Sequence, residues 1–232
     1  LQNNANRATW SLTFQYGASF ATSDEQATIM KIKNFQVEAS EKAFLFESID
    51  EDTRVNVTDL YNSEVSVCWF GAVADCNNTQ DSIDVATDNH APFDAAIKCF
   101  KNIADPKFEW KNVVNIPASL GLNFNLYCLK SPLIIHSSVQ LVGIGMVKSQ
   151  LVFPNTGGGI TISENNIGGK LAIGCEISNL TLFGPLFITD DLPPLPTYDK
   201  GNGITIRAAC SIKEVKVASF DGNGIHLSAN VA

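Results

Sequence analysis

From Val113 to the end of the chain, apolar residues fall in short alternating runs, with Gly and Asn at the breaks between them. A period of two marks a strand with one buried face. Three of these runs match one another: Gly157-Gly-Gly-Ile-Thr-Ile-Ser163, Gly201-Asn-Gly-Ile-Thr-Ile-Arg207 and Gly222-Asn-Gly-Ile-His-Leu-Ser228. Between them a second pair matches, Cys175-x-Ile177-x-x-Leu180-x-Leu182 and Cys210-x-Ile212-x-x-Val215-x-Val217. A repeat too small to bury its own apolar face must stack on its neighbours, so the pattern predicts a solenoid.

The spacing of the repeats sharpens this. Gly201 to Gly222 is a step of 21 residues, one compact coil, whereas Gly157 to Gly201 is a step of 44. The surplus divides into 9 residues near 164–174 and 14 near 183–200. Insertions at two corners of a constant coil are what a stacked architecture tolerates, because they project outward. Alternation then assigns faces. Ile160, Ile162, Ile204, Ile206, Ile225 and Leu227 should point inward. Thr161, Thr205 and His226 should form one outward column, with Ser163, Arg207 and Ser228 as the next. In the second family Thr181 and Lys216 should stack outward, and Cys175 and Cys210 should be neighbours on adjacent coils. Strand spacing of about 4.8 Å would permit a disulfide there, but small apolar side chains commonly ladder inside such a stack, and two free thiols are the expectation.

Upstream, Val65 to Val73 reads as an apolar strand and Asp75 to Asn89 as a polar loop. Phe93, Ala96, Ile97 and Phe100 then fall at helical spacing on one stripe, predicting a helix over about 90–103. Asp88 or Asn89 can cap it, and Pro92 is tolerated in its first turn. A lone amphipathic helix in a β-rich chain must lie on something apolar, and the open end of a solenoid is a natural place. Residues 1–64 carry short alternating stretches, such as Trp10 to Phe14 and Ala43 to Phe46, divided by Asp50-Glu51-Asp52. They read as a small β-rich lead-in. The first residue, Leu1, and the lack of a terminating element before Ala232 suggest a segment of a longer protein.

Charge removes several function classes. The net charge is −8 and the 16 basic residues are scattered, which disfavours nucleic acid and anionic membrane surfaces. No apolar run approaches the length needed to insert in a membrane. The six cysteines, Cys68, Cys76, Cys99, Cys128, Cys175 and Cys210, lie far apart, with no Cys-x-x-Cys and no His at ligand spacing. That argues against a metal, and no motif calls for a cofactor. Free buried thiols are the expected state in a chain of this length. Sequons at Asn56, Asn77 and Asn179 are about as many as an Asn-rich sequence produces by chance.

Val65 to Asp75 (VSVCWFGAVAD), Thr87-Asp88-Asn89 and the helix from Phe93 together resemble the opening of the pectate-lyase-superfamily β-helix domain. Val114 to Ala118, Val139 to Gly145, Leu151 to Phe153 and Ile177 to Gly184 are similar to its successive early coils. The resemblance runs from about Val65 to Ala232. It implies an all-β chain, a right-handed single-stranded parallel β-helix with an N-terminal capping α-helix, preceded by the lead-in. It further implies an extracellular or virion setting, as in bacteriophage tailspikes and secreted polysaccharide lyases, hydrolases and epimerases. A tailspike would be homotrimeric, with tail proteins as partners and a surface polysaccharide as ligand. Two departures stand out. Asp75-Cys76 replaces the family's Asp-Gly turn, and a roughly ten-residue insertion follows it. In this family the catalytic carboxylates generally sit on later coils, so the resemblance carries fold further than activity.

Cleaving a polysaccharide needs two carboxyl groups across the bond, or a base beside an acidic sugar proton. The candidates are few. Asp190 and Asp191 lie in the longer insertion, and Asp199 and Asp221 precede equivalent Gly-x-Gly turns. Stacked Asp residues at corners more often accept backbone N–H bonds than do chemistry. Glu164 and Glu176 read as solvated surface residues. His226 could bind or deprotonate a sugar beside Arg207 and Thr205, or could be an ordinary exposed His. Phe183, Phe187 and Tyr198 could stack on sugar rings or could pack the insertion onto the solenoid. Asp190, Asp191, Tyr198, Arg207 and His226 are therefore the carbohydrate-binding candidates, and Asp199, Asp221 and His226 the catalytic ones.

Overall fold

A computed structural model describes residues 64–98, 112–119, 125–135, 139–155, 157–163, 175–185 and 201–228, together with the backbone of four earlier strands. Those four are β1 (Phe20–Thr22), β2 (Ile29–Phe35), β3 (Phe46–Ser48) and β4 (Arg54–Leu60). They pair in parallel as β1 with β3 and β2 with β4. The stretch from Trp10 to Phe14 lies outside the described residues.

The rest is mostly strand in parallel sheets, with few helices. β5 (Glu64–Ser66) comes first, followed by helices α1 (Gln80–Val85) and α2 (His90–Lys98). The next coil supplies β6 (Asn112–Ile116), β7 (Tyr127–Cys128) and β8 (Leu133–Ile135). Then come β9 (Val139–Gly143), β10 (Gln150–Val152) and β11 (Ile160–Ile162). A long β12 (Cys175–Phe183) precedes β13 (Ile204–Ile206), and a long β14 (Cys210–Ala218) precedes β15 (Ile225–Leu227).

Every pairing among β5 to β15 is parallel, and the chain visits three ladders in the same order on each turn, as in a parallel β-helix. The first face stacks β5, β6, β9 and the first half of β12 and of β14. The second stacks β7, β10 and the second halves of β12 and β14. The third stacks β8, β11, β13 and β15. The long strands serve two faces because each bends once. Asn179 has φ 58° and Glu214 has φ 50°, and these corner residues fall opposite each other. Asn tolerates this left-handed conformation better than Glu does.

The apolar residues of each face stack inward. Val65, Val114, Leu141 and Ile177 line the first, Tyr127, Leu151 and Leu182 the second, and Leu133, Ile160 and Ile204 the third, all fully buried. The expected ladder of Ile160, Ile204 and Ile225 is therefore present in register. Ile225 is 48% exposed and Leu227 73% exposed, because no further strand stacks on them among the described residues. Cys175 and Cys210 are register partners, as expected, and are thiols.

Two expectations for the opening segment change. The strand expected over Val65 to Val73 ends at Ser66 and gives way to a 3-10 turn, Val67–Phe70. Ser66 Oγ accepts the Cys68 N–H at 3.2 Å, and Gly71, at φ 95°, closes the turn by donating to the Cys68 carbonyl. A side chain that satisfies an early N–H lets the backbone coil instead of pairing. The polar loop expected over Asp75 to Asn89 contains α1. Thr79 caps it by accepting the Ser82 N–H at 3.3 Å, while Asn77 Oδ1 accepts from Thr79.

The amphipathic helix is present as α2, with Phe93, Ala96 and Ile97 buried. Phe93 meets Tyr127 edge to face at 5.8 Å between ring centres. Phe100 and the remainder of the predicted 90–103 span lie outside the described residues. Of the two capping candidates, Asp88 caps α2 with its side chain, whereas the Asn89 side chain turns to the neighbouring backbone. Asp88 Oδ1 accepts the N–H groups of His90 and Lys130, each at 3.0 Å. Asn89 is fully buried, bonded to Val73 through both its amide oxygen and its amide nitrogen.

Candidate functional site

The third face carries the outward column. Thr161 pairs with Thr205, and Thr205 with His226, so the three side chains stand on successive strands at one position. All three are half-buried. The column also begins one strand earlier than the repeat suggested, with Ile134 opposite Thr161 and 42% exposed. The surface thus runs from an apolar platform through two hydroxyls to an imidazole. Ile134 was missed because its run, Leu-Ile-Ile, does not alternate.

The neighbouring column is less open than expected. Arg207 is exposed and Ser228 half-buried, but Ser163 is buried. The ladder itself continues through these positions, since Arg207 donates its N–H to the Ile162 carbonyl and Ser228 its N–H to the Ile206 carbonyl.

The corner before this face is built from close backbone stacking. A Cβ on Gly159 would meet the Gly203 carbonyl oxygen at 2.4 Å, so only glycine lets these turns superpose. Asp221 Oδ1 accepts the Gly201 N–H from the coil below at 2.9 Å, and Asn202 Oδ1 accepts from Asn223 at 2.9 Å. Asp221 thus holds one coil on another, the turn-forming use weighed for it from sequence. Asp190, Asp191, Tyr198, Asp199, Phe187 and Glu164 lie outside the described residues.

The second face differs. Thr181 pairs with Lys216, as the repeat implied, yet Thr181 is 1% exposed. Its hydroxyl donates to the Met146 carbonyl at 2.6 Å, so the 144–148 turn covers it. Beside it an outward column of Cys128, Val152, Phe183 and Ala218 is apolar, with Lys216 Nζ 5.8 Å from the Phe183 ring centre. Ile83 and Ala86 bury against this cluster, together with Cys76 and Leu126. Phe183 therefore packs on the solenoid. On the first face Glu176 is ion-paired with Lys213 at 2.7 Å rather than simply solvated.

Between α1 and the second face runs a polar cleft of ≈ 380 Å³, lined by Gln80, Ile83, Asp84, Lys130, Pro154 and Asn155. Gln80 Nε2 donates to Asp84 Oδ1 at 2.6 Å, and Lys130 Nζ to the Asp84 carbonyl at 3.3 Å. No sequence signal marked this cleft, because it exists only once α1 forms.

Perturbed titrations fall on buried groups away from the outward column. Burial pushes the Cys175 thiol up to about 12, with the Cys210 sulfur adding to it. Burial also raises the Tyr127 hydroxyl, beside Cys68. Among the described residues no three His, Cys, Asp or Glu side chains gather to hold a metal, and no helix is long and apolar enough to cross a membrane.

No protein-family model matches the chain, and no curated protein matches it. Among solved structures, the chain is similar to the A-module of a mannuronan C-5 epimerase from Azotobacter vinelandii, at 18% identity and a TM-score of 0.47. The likeness covers 70% of this chain and 40% of that structure.

Proposed function

We propose that this chain is the N-terminal part of an extracellular β-helix protein of the tailspike kind, which binds a surface polysaccharide along its third face. The observation that carries the reading is the outward column in strict register, Thr161, Thr205 and His226, with Arg207 beside it. Parallel strands repeat every 4.7–4.9 Å or so, which gives a ladder of hydroxyl and imidazole groups at regular height. Such a ladder suits a ligand that itself repeats. The guanidinium of Arg207 adds a fork for a carboxylate or phosphate substituent.

On this reading the winding is right-handed, as βαβ-type crossovers nearly always are. Helix α2 caps the first coil, residues 1–64 serve attachment to a virion, and three copies assemble. Binding is better supported than cleavage. Hydrolysis needs paired carboxyl groups, and Asp221 is committed to the Gly201 N–H. A hydrolase would draw on Asp190, Asp191 or Asp199 in the insertion, or on further coils, whereas a lyase would use His226 as its base.

Retention on immobilised acidic and neutral polysaccharides tests the reading. The chain should be retained on at least one, and the R207A/H226A double variant should lose at least tenfold in affinity with an unchanged circular dichroism spectrum. A trimeric mass by light scattering is expected. Release of unsaturated or reducing ends would favour a secreted lyase or hydrolase instead, and inversion of a sugar carbon without chain cleavage a secreted epimerase. No retention and no release across the panel would leave a purely structural solenoid and overturn the proposal.

A further inference from the structure

Cys76 and Cys128 are far apart in sequence and match no cysteine motif, but the fold brings them together beneath α1. The backbones of Cys76 and Leu126 exchange both hydrogen bonds, with N···O distances of 3.2 Å and 2.6 Å. Leu126 and Cys128 are two residues apart, so both project to the outer side of the second face. Both sulfurs lie in the cluster with Ile83, Ala86, Val152 and Phe183, and both cysteines are 0% exposed. The two ends of the intervening segment are anchored at the same strand, since the Asn89 N–H donates to the Cys128 carbonyl at 2.8 Å.

Cys76 Sγ donates to the Asn77 carbonyl at 3.0 Å. The two thiols also influence each other, the neighbouring Cys128 lowering the Cys76 titration and Cys76 raising that of Cys128. Cys76 is therefore the better thiolate of the two. The contrast with Cys175 is informative, because burial rather than a partner sulfur dominates there.

We propose that Cys76 and Cys128 form a disulfide under oxidising conditions, which locks the 73–89 segment and α1 onto the second face. This does not depend on the polysaccharide reading. In the structure both cysteines are free, buried thiols, as expected from the sequence, and the proposal concerns their oxidised state. The oxidant is a small disulfide such as oxidised glutathione. The Cys76 thiolate attacks one of its sulfurs, breaking that S–S bond, forming a mixed disulfide and releasing one glutathione thiolate, which takes up a proton. The Cys128 thiolate then attacks Cys76 sulfur and displaces the second glutathione, which also leaves protonated. Two protein thiols are oxidised, and two electrons and two protons pass to the oxidant. Because both sulfurs are sealed from solvent, the exchange takes place when the 73–89 segment is lifted from the face, and the bond then holds it down.

The test uses the whole chain. The reduced protein is equilibrated with oxidised glutathione, quenched in acid, unfolded, alkylated and digested without reductant. The expected product is one cross-linked peptide joining Cys76 to Cys128, with alkylation lost at these two positions and retained at Cys175 and Cys210. C76S should restore alkylation at Cys128. Proteolysis within 73–89 should be at least tenfold faster in the reduced wild type than in the oxidised one. Full alkylation of both Cys76 and Cys128 after oxidation would overturn the proposal. So would a cross-link from either to a different cysteine.

Discussion

Thr181 and Thr205 occupy equivalent places on two faces of the same stack. Each follows an inward aliphatic residue, each is in register with the coil above and below, and each points outward. Yet Thr205 is half open to solvent, while Thr181 is 1% exposed with its hydroxyl bonded to a backbone carbonyl. Alternation settles which side of a sheet a residue is on. Whether that side is surface depends on what the corners carry. The third face meets tight Gly-x-Gly turns and stays open. The second meets the 144–148 turn and α1, and its outer side becomes a second, smaller core.

The corner that closes over Thr181 is the place to break this difference. Gly145 donates its N–H to the Asn179 carbonyl at 3.0 Å, and buried Ser149 donates its hydroxyl to the Ile116 carbonyl at 2.7 Å. A Cβ on Gly143 would meet Asn179 carbonyl oxygen at 2.2 Å and Ser149 Cβ at 2.7 Å. Neither neighbour is a flexible tip, so the corner must open. We expect Gly143→Ala to cost about 3 kcal/mol in urea denaturation, with the third face still folded by circular dichroism. A neutral result would mean that the cover over Thr181 is not set by this corner.

Thr181→Val tests the same cover from beneath. The shape is kept, but the Met146 carbonyl loses its 2.6 Å donor. Removing the buried donor of this part-buried hydrogen bond should cost about 1 kcal/mol. A value near zero would show that water reaches the carbonyl and that Thr181 is effectively a surface residue like Thr205.

The repeat was legible because each matching residue meets the same environment on every coil. Ile160, Ile204 and Ile225 could be aligned by eye, and the column Thr161, Thr205, His226 follows from that alignment. What the sequence hid were features that occur once. Helix α1 and the residue that ends it present only Ile83 and Ala86 to the cluster, too short a stripe to stand out from a polar loop. Its landing surface, Cys128, Val152 and Phe183, shows as apolar residues on the outer side, where alternation expects polar ones. A run such as Leu180 to Phe183 could have signalled a covered outer face, but reads equally well as a strand buried on both sides. The proximity of Cys76 to Cys128 was invisible for the same reason, since it joins the turn ahead of the insertion to the stack.

The corner beneath the open face offers a similar perturbation. Asp221 spans two coils through the Gly201 N–H at 2.9 Å, in a partly buried position. Asp221→Ala should cost about 1 kcal/mol and loosen the register that aligns Thr205 with His226. Asp221→Asn keeps an acceptor oxygen and should recover most of the loss. If Ala and Asn behave alike, the carboxylate charge matters, and Asp221 returns as a candidate for chemistry.

Thr205→Val is the counterpart of Thr181→Val and should have the least effect on stability. Thr205 lies between Ile204 and Ile206 in a strand paired on both sides, so a β-branched replacement keeps its backbone preference. Its side chain is half exposed, and no buried partner depends on it in the way that the Met146 carbonyl depends on Thr181. The expected change is within about 0.5 kcal/mol of zero. Retention on polysaccharide should nonetheless fall, because the column loses the hydroxyl between Thr161 and His226. One substitution made at two equivalent positions would then separate the two faces: stability lost with binding kept on the second, binding lost with stability kept on the third.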